Sequence, residues 1–106
     1  IVINDCSTDN SLQLVKALAA EDSRIKILTN EKNIKTAQTR TRGIHESKGR
    51  FLAFIDSDDL WHPRKLEKQI AFMKRHDIAL SYHAYKKFRG SLNVQGATVH
   101  VPDSVT

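Results

Sequence analysis

The sequence predicts an α/β fold with a parallel-rich sheet and helices on both of its faces. Short apolar or alternating runs at 1–4, 25–29, 51–55 and 78–85 recur at nearly equal intervals, and helical periodicity fills the segments between them. Strand–helix units of that length are typical of a sheet assembled from βαβ crossovers. The 51–55 run has no polar alternation, which favours a central strand covered on both faces.

The composition indicates a soluble globular protein. The chain has 106 residues, of which 40% are hydrophobic and 27% are charged, and these proportions disfavour disorder and coiled coil. The single cysteine, Cys6, excludes an internal disulfide, and the 51–55 run is much too short to span a bilayer. A net charge of +5 suits anionic partners such as phosphates, nucleic acid or an acidic membrane surface.

The two ends of the sequence suggest part of a longer protein. The chain opens on an apolar run at Ile1 rather than on Met, and it stops at Thr106 without a capping element. We therefore expect residues 1–106 to form a single partial domain that is truncated at both ends.

Local signals predict where three helices begin or end. Thr8 or Asp9 can cap the first helix through its side-chain oxygen. The second helix is expected over 35–47, with Gly49 placed to end it. Pro63 stands where the third helix would begin, a position at which its missing N–H costs no hydrogen bond.

The residues expected to face inward follow the helical period. On the first helix they are Leu12, Val15, Leu18 and Ala19. On the second and third helices they are Ala37 and Ile44, and Leu66, Ile70 and Met73. The alternation along 78–85 indicates a strand nearer the edge of the sheet. From Lys86 onward the pattern weakens, and only Val99 and Val101 suggest a further strand.

The candidate chemistry follows the strands, because ligands of open parallel sheets bind beyond the carboxyl ends of the strands. Asp5 follows the first run, and the cluster Asp56-Ser57-Asp58-Asp59 follows the apolar run 51–55. Three carboxylates in so short a segment repel one another unless a cation lies among them. Carboxylate oxygens without a nearby His or Cys cluster favour Mg²⁺ or Mn²⁺. Capping of the next helix is the simpler role, and it suits Asp59 better than the other two.

The remaining residue types give weaker signals. The histidines include no pair at a helical zinc-binding spacing, and the four glycines are too dispersed to form a phosphate loop. Basic and aromatic residues are interleaved late in the chain, at Tyr82, Tyr85, Lys86, Lys87, Phe88 and Arg89. This pattern is a weak nucleic-acid signal, and a twisted edge strand explains it as well.

Three segments, 5–11, 33–44 and 50–61, carry a combination of motifs. They contain an Asp-x-Ser-Thr-Asp loop, an Arg-x-x-Gly-Ile sequence and the Asp-x-Asp cluster, in that order. In order and spacing they resemble the inverting family-2 glycosyltransferases, and the likeness continues through 63–69. The resemblance implies the nucleotide-diphospho-sugar transferase fold called GT-A.

The resemblance also implies a role for particular residues. Asp5 matches an aspartate that contacts the base or ribose of the nucleotide, and Arg40 matches a basic residue near the diphosphate. Asp56 and Asp58 match the Asp-x-Asp motif, in which the second carboxylate ligates Mn²⁺ or Mg²⁺ and the first lies close to the ribose and the metal. Ser57, between them, falls within the same nucleotide-sugar-binding segment.

The activity implied by the resemblance is transfer of a sugar from a nucleotide-diphospho-sugar, with a uridine diphosphate sugar expected. The acceptor would be a glycan or a lipid-linked molecule in polysaccharide biosynthesis, and nucleic acid is not an expected partner. The metal would neutralise the diphosphate leaving group, and the sugar would pass through an oxocarbenium-like state. The implied location is cytoplasmic, at the inner face of the membrane, with peripheral membrane association.

The sequence departs from the family pattern at several positions. The family usually has an acidic residue at Asn4, glycine near Lys35, alanine near Thr39 and asparagine near Thr41. Its first strand would lie upstream of residue 1, and its general-base carboxylate would lie downstream of residue 106. The catalytic base is therefore unknown, and we expect residues 1–106 alone to be inactive.

Other functions remain open on the sequence alone. A phosphohydrolase of the haloacid dehalogenase type would use Asp56 as its nucleophile and Asp58 as its general acid, although that motif usually follows the first strand of the domain. A basic nucleic-acid-binding module is favoured only by the net charge. A degenerate transferase fold that serves as a scaffold would bind no nucleotide.

Overall fold

The computed structural model describes residues 1–100, without the side chains of 91–95. The elements in chain order are β1 (Val2–Asn4), α1 (Ser11–Glu21), β2 (Ile27–Thr29), α2 (Lys35–Glu46), α3 (Lys65–His76), β3 (Tyr85–Arg89) and β4 (Ser91–Val99). This content confirms the α/β class. The chain divides into two units, Ile1–Ile55 and a second that begins at Asp56.

The first unit contains a parallel strand pair joined by a helix. β1 and β2 pair in register from Val2 with Ile27 to Asn4 with Thr29. The ladder continues one step further, because the backbone N–H of Asn30 donates to the Asn4 carbonyl at 2.9 Å. This βαβ unit confirms the predicted crossover, and it brings the residues that follow β1 and β2 to the same edge.

The predicted start signals hold to within two residues. The N-cap residue of α1 is Asn10, without a side-chain capping hydrogen bond, so the capping role predicted for Thr8 or Asp9 is wrong. Asp9 instead forms a turn just before the helix, since its Oδ1 accepts a hydrogen bond from the Ser11 backbone N–H at 3.0 Å. Hydrogen bonding by the Ser11 side chain and then by its backbone N–H lowers the pKa of the Asp9 carboxyl. Pro63 precedes α3, which begins at Lys65. The apolar face of α1 is narrower than predicted, because Leu18 lies on its flank and is 57% exposed.

The inward face of α2 is polar, and the prediction for this helix is wrong. Ala37 is exposed, and Ile44 is 43% exposed. The less exposed side of the helix consists of Thr39, Arg42, Gly43 and Glu46. The physical reason is that this side of α2 hydrogen-bonds to the buried Asn30 side chain through Thr39 and Arg42, so polar residues are needed there. Gly43 permits the approach, since a Cβ there would lie 3.1 Å from the Ile3 Cδ1 atom.

The apolar run 51–55 is not a strand, and the prediction of a buried central strand is wrong. Leu52, Phe54 and Ile55 are 50%, 53% and 51% exposed. A strand exists only through hydrogen bonds to a neighbour, and among the described residues β1 and β2 pair only with each other. Apolar composition predicted the burial, but no described strand lies alongside this run to provide it.

The second unit contains α3 and an antiparallel hairpin. On α3, Ile70 and Met73 are half-buried as predicted, whereas Leu66, in the first turn, is 42% exposed. The helix is tied to the following segment by the Gln69 amide, whose Nε2 donates to the Ser81 Oγ at 2.9 Å.

The hairpin lies later in the chain than the predicted strand. Of the segment 78–85, only Tyr85 is in a strand, because β3 starts there and pairs with β4 rather than with a parallel neighbour. Gly90, at a φ of +73°, makes the turn in a conformation that favours glycine. Val99 lies in β4 as expected, whereas Val101 lies outside the described residues.

Candidate functional site

The Asp5 carboxylate is held by three hydrogen-bond donors that follow the other strand of the sheet. Its Oδ1 accepts from the Ile34 backbone N–H at 2.8 Å and from the Asn30 Nδ2 at 3.0 Å. Its Oδ2 accepts from the Lys35 backbone N–H at 3.1 Å. The bond from Ile34, then that from Asn30, then that from Lys35 together with its charge lower the pKa of Asp5. The carboxylate is therefore fixed, charged and partly exposed at the start of α2.

Asn30 is the centre of this network. Its side chain is 5% exposed, and its Nδ2 donates to Asp5 and, at 3.1 Å, to the Thr39 Oγ1. Its Oδ1 accepts from the Arg42 Nη1 at 2.6 Å, and its backbone carbonyl accepts from the Cys6 Sγ at 3.1 Å. A buried amide with all these bonds made fixes the loops after β1 and β2 against α2.

Two residues of this network, one in the loop after β1 and one at the start of α2, adopt left-handed backbone conformations. Cys6 has a φ of +58° and Lys35 a φ of +67°, a region that favours glycine. At Lys35 the conformation directs the backbone N–H towards Asp5, and the family pattern described above usually has glycine near this position. The structure thus gives a physical reason for glycine there, and it indicates that Lys35 carries some backbone strain.

An open cleft of about 580 Å³ lies beside the Asp5 network. Its lining residues are Thr29, Asn30, Glu31, Lys32, Ile34 and Arg42. Two of them, Asn30 and Ile34, also hold the Asp5 carboxylate. The cleft is lined by both charged and polar side chains, so it suits a polar ligand better than an apolar one.

Two arginines of α2 have different environments. Arg40, the predicted diphosphate contact, is exposed. Arg42 is half-buried, and its Nη1 donates to the Thr29 carbonyl at 2.8 Å as well as to the Asn30 Oδ1. Arg42 therefore serves the structure of the loop after β2, while Arg40 is accessible to a ligand.

The second unit holds the acidic cluster, and all of its carboxylates are exposed. A turn brings them together, because the Asp59 backbone N–H donates to the Asp56 carbonyl at 3.0 Å. One carboxylate oxygen from each of Asp56, Asp58 and Asp59 lies within 4.8 Å of the others. Oxygens at such separations can share one hard cation. The donor set fits Mg²⁺ or Mn²⁺, and solvent exposure leaves room for further ligands.

A cation–π contact follows the acidic cluster. The Lys65 Nζ lies 3.8 Å from the centre of the Trp61 ring. Partial burial lowers the pKa of Lys65, and the ring face compensates some of the lost hydration. Next to this pair, Arg64 forms a salt bridge with Glu67, with 3.0 Å between the Arg64 Nε and the Glu67 Oε2. Lys65 and Arg64, at the start of α3, are thus each engaged with a nearby side chain.

The predicted site residues fall into two groups. Asp5 and Arg40 lie in the first unit, and Asp56, Ser57 and Asp58 lie in the second. The structure adds Asp59 to the predicted metal ligands by distance.

The sequence reasoning missed Asn30 and Arg42. Asn30 could have been found, because it follows β2 as Asp5 follows β1, and residues after neighbouring parallel strands share an edge. No pattern in the sequence distinguished Arg42 from Arg40 as the structural arginine.

A comparison with profiles of known protein families shows to which family the chain belongs. The profile of Glycosyl transferase family 2 matches residues 1–99. The chain belongs to this family. It therefore has the family's fold class, in agreement with the resemblance of the three motif segments. No solved structure gives a significant match.

Curated relatives of this glycosyltransferase family give the same assignment. TuaG of Bacillus subtilis, whose name refers to teichuronic acid biosynthesis, is 36% identical over 111 residues, covering 100% of this chain and 42% of TuaG. WfgD of Escherichia coli is 43% identical over 86 residues, covering 81% of this chain and 33% of WfgD. Its name describes a UDP-Glc:α-D-GlcNAc-diphosphoundecaprenol β-1,3-glucosyltransferase. The chain thus spans less than half the length of either relative.

Within residues 1–100, no helix combines the length and the apolar character needed to cross a bilayer.

Proposed function

We propose that residues 1–106 are the donor-binding part, a single partial domain, of a metal-dependent glycosyltransferase. The enzyme transfers a sugar from a nucleotide-diphospho-sugar, with a uridine diphosphate sugar as the expected donor, to a glycan or lipid-linked acceptor in polysaccharide biosynthesis. The observation that carries the proposal is the acidic cluster, whose three carboxylates can reach one cation in a chain of family 2.

The chain's own residues divide the work of donor binding. Asp58, with Asp56 beside it, would hold Mn²⁺ or Mg²⁺, and this ion supplies charge neutralisation to the diphosphate leaving group. Ser57 lies between them in the same turn and adds a hydroxyl that can donate to a phosphate oxygen. The exposed Arg40 would donate hydrogen bonds to the diphosphate.

Asp5 would orient the nucleoside. Its carboxylate already accepts from three donors, which fix its position. A carboxylate has about four lone-pair sites, so Asp5 retains capacity for a base N–H or a ribose hydroxyl. A fixed acceptor costs little entropy on binding, which favours it as a selector of the nucleoside.

The names of the relatives support the donor and acceptor classes. WfgD is named for a UDP-linked donor and a diphosphoundecaprenol acceptor, and the same classes are proposed for the protein that contains this chain. A lipid-linked acceptor places the reaction at the membrane, and we propose peripheral association with the cytoplasmic face. The family assignment argues against the phosphohydrolase alternative, in which Asp56 would be a nucleophile.

Calorimetric titration of the chain with uridine diphosphate, with and without Mn²⁺, tests the proposal. We expect binding that requires the metal, no release of inorganic phosphate from nucleotide sugars, and no sugar transfer by residues 1–106 alone. Metal-independent binding, or phosphate release that depends on Asp56, would contradict the transferase. The absence of any nucleotide binding would favour a scaffold role instead.

A further inference from the structure

The β3–β4 hairpin carries cations and aromatic side chains, without a carboxylate. Every side chain of β3 is exposed, including Lys86, Lys87 and Arg89. Tyr85 and Phe88 on the same strand are 47% and 38% exposed. The sequence contains no Asp or Glu from residue 78 to residue 100. The hairpin is therefore the most one-sidedly charged part of the described chain.

The cations of β3 lie on both faces of the hairpin. Successive side chains of a strand point to opposite faces, so Lys86 and Lys87 face opposite sides. The register of the β3–β4 pair shifts between Lys86 and Phe88. Gly96 of β4 lies next to Lys87 there, and a Cβ added at Gly96 would lie 3.9 Å from the Lys87 Cβ. Such irregularities increase the twist of a two-stranded ribbon. A flat, rigid partner could contact only one face of the hairpin. A soft, hydrated anionic surface, into which the hairpin can sink, can contact the cations on both faces.

We propose that the β3–β4 hairpin is a membrane-docking surface that binds anionic phospholipid headgroups. Lys and Arg close to an anionic leaflet are attracted by its surface potential. Aromatic side chains at the water–hydrocarbon boundary bury their rings while a polar end stays hydrated. The hairpin presents both kinds of group on a narrow element whose turn, at Gly90, has no bulky side chain.

The alternative of a nucleic-acid surface fits the same charge but not the same context. Single strands are held by a cationic groove with stacked aromatic rings, and a two-stranded hairpin with cations on two faces forms no groove by itself. The inference deepens the proposed function, because a lipid-linked acceptor requires the enzyme to work at a bilayer. It concerns a surface, however, that is separate in sequence from the proposed donor ligands.

Co-sedimentation with vesicles tests the docking surface without nucleotide or metal. The chain should bind vesicles of phosphatidylglycerol and phosphatidylethanolamine and should not bind phosphatidylcholine alone. The triple variant Lys86→Gln, Lys87→Gln, Arg89→Gln should bind the anionic vesicles at least tenfold more weakly, since each cation near such a surface contributes about fivefold. Phe88→Ser should weaken binding further and make it more sensitive to salt.

A matched control removes the same charge elsewhere. Lys16→Gln, Lys48→Gln, Arg75→Gln lowers the net charge equally at exposed positions outside the hairpin. This variant should retain most of the binding. Equal losses in both triple variants would show a general charge effect and overturn the proposal.

Two further measurements keep the proposal open to contradiction. On the unmodified chain, an increase of about tenfold in ionic strength should release most of the bound protein, because it shortens the screening length about threefold. Binding to random single-stranded RNA that is lost in the hairpin variant, with no vesicle binding in the wild type, would assign the surface to nucleic acid. Mn²⁺-dependent nucleotide binding should be unchanged in the hairpin variant, so failure of vesicle binding and failure of the proposed function are separately visible.

Discussion

The molecule holds its carboxylates in two contrasting ways. Asp5 in the first unit accepts hydrogen bonds from two backbone N–H groups and a buried amide. In the acidic cluster of the second unit, a turn holds Asp56, Asp58 and Asp59 together by sequence proximity, and all three are exposed. Among the described residues, no cation pairs with the Asp58 side chain. Asp5 is stabilised by hydrogen bonds from the protein, whereas for the cluster we propose a bound ion as the stabilising partner.

This contrast shows two ways in which one chain can place a carboxylate for a ligand, one by hydrogen bonds made in advance and one by clustering at the surface. The donors that are already bonded to Asp5 fix its carboxylate, and in the proposed donor site this would fix the position of the nucleoside before it binds. Carboxylates close to one another at the surface repel, and a divalent cation relieves that repulsion. The first arrangement predicts effects of mutation on folding and orientation, and the second predicts effects on metal dependence.

The largest effect is expected at Asp58. Asp58→Asn removes a negative charge from the proposed ion site, so nucleotide binding should lose most of its Mn²⁺ dependence. Turnover by the full-length enzyme should fall roughly ten- to hundredfold, as losses at metal sites commonly do. Asp56→Asn should be milder, because its amide oxygen can still accept a hydrogen bond from the ribose. Calorimetry with Mn²⁺ and uridine diphosphate measures both.

Asp59→Asn is the matched control for the cluster. It removes the same charge from the same turn, at a residue outside the Asp-x-Asp motif. The expected capping role of Asp59 is wrong, because α3 begins at Lys65 with Arg64 at its N-cap position. Equal losses at Asp58 and Asp59 would show that the cluster binds the ion collectively, and the assignment of Asp58 as the principal ligand would then be wrong.

The next effect separates the two arginines of α2. Arg40→Ala should weaken nucleotide-sugar binding by about 1.5–3 kcal/mol, the range for hydrogen bonds to charged groups. Arg42→Ala should chiefly lower the free energy of unfolding, because the buried Asn30 Oδ1 loses its donor. Binding titrations and chemical denaturation of both variants measure the two effects. An unchanged affinity in Arg40→Ala would remove that residue from the site.

The sequence predicted the β1–α1–β2 unit and the acidic cluster because both are encoded by short segments of the chain. The βαβ order follows from hydrophobic period, and three aspartates in one turn lie together whatever surrounds them. The start of α1 near Asp9 was found in the same way, although the N-cap residue itself is Asn10.

The features that the sequence could not predict depend on distant partners. Whether 51–55 becomes a strand is decided by a neighbouring strand, not by its own apolar residues. The polar inward face of α2 is decided by Asn30, which binds Arg42 across twelve residues and Asp5 across 25. A prediction from hydrophobic periodicity takes the inward-facing side chains of a helix to be apolar. This is wrong for the side of α2 that contacts Asn30.

A mutation of Asn30 tests whether the hydrogen-bond network around Asp5 stabilises the first unit. Asn30→Ala removes the donor to Asp5 and the acceptor of Arg42, so the free energy of unfolding should fall by about 1–3 kcal/mol. Chemical denaturation measures this change. Thr39→Val, which removes only the accepting hydroxyl of the same network, is the control and should cost less. A neutral Asn30→Ala would mean that the network does not stabilise the first unit.

The pH dependence of stability should report Asp5. Hydrogen bonds lower its folded pKa below the ordinary value, so its carboxylate stabilises the fold above the unfolded pKa of about 3.9. That contribution is lost as the pH falls through the lowered, folded pKa. Between about pH 5 and pH 2, stability should therefore fall more steeply in the wild type than in Asp5→Asn. Denaturation curves at several pH values measure this, and parallel slopes would contradict it.

The smallest effect is expected at Lys35. Its left-handed backbone favours glycine, and the family pattern usually has glycine near this position. A non-glycine residue in the left-handed region destabilises the fold by about 1–2 kcal/mol. Glycine avoids this penalty, but its greater freedom in the unfolded chain lowers stability by about 0.5–1 kcal/mol. Lys35→Gly should therefore raise the free energy of unfolding by about 0.5–1 kcal/mol. Lys35→Ala is the matched control, because it removes the same charge next to Asp5 but keeps a Cβ at a φ of +67°. Denaturation should rank the glycine variant above the alanine variant. If the two were equally stable, the left-handed conformation would carry no strain, and the backbone N–H that binds Asp5 would be held without cost.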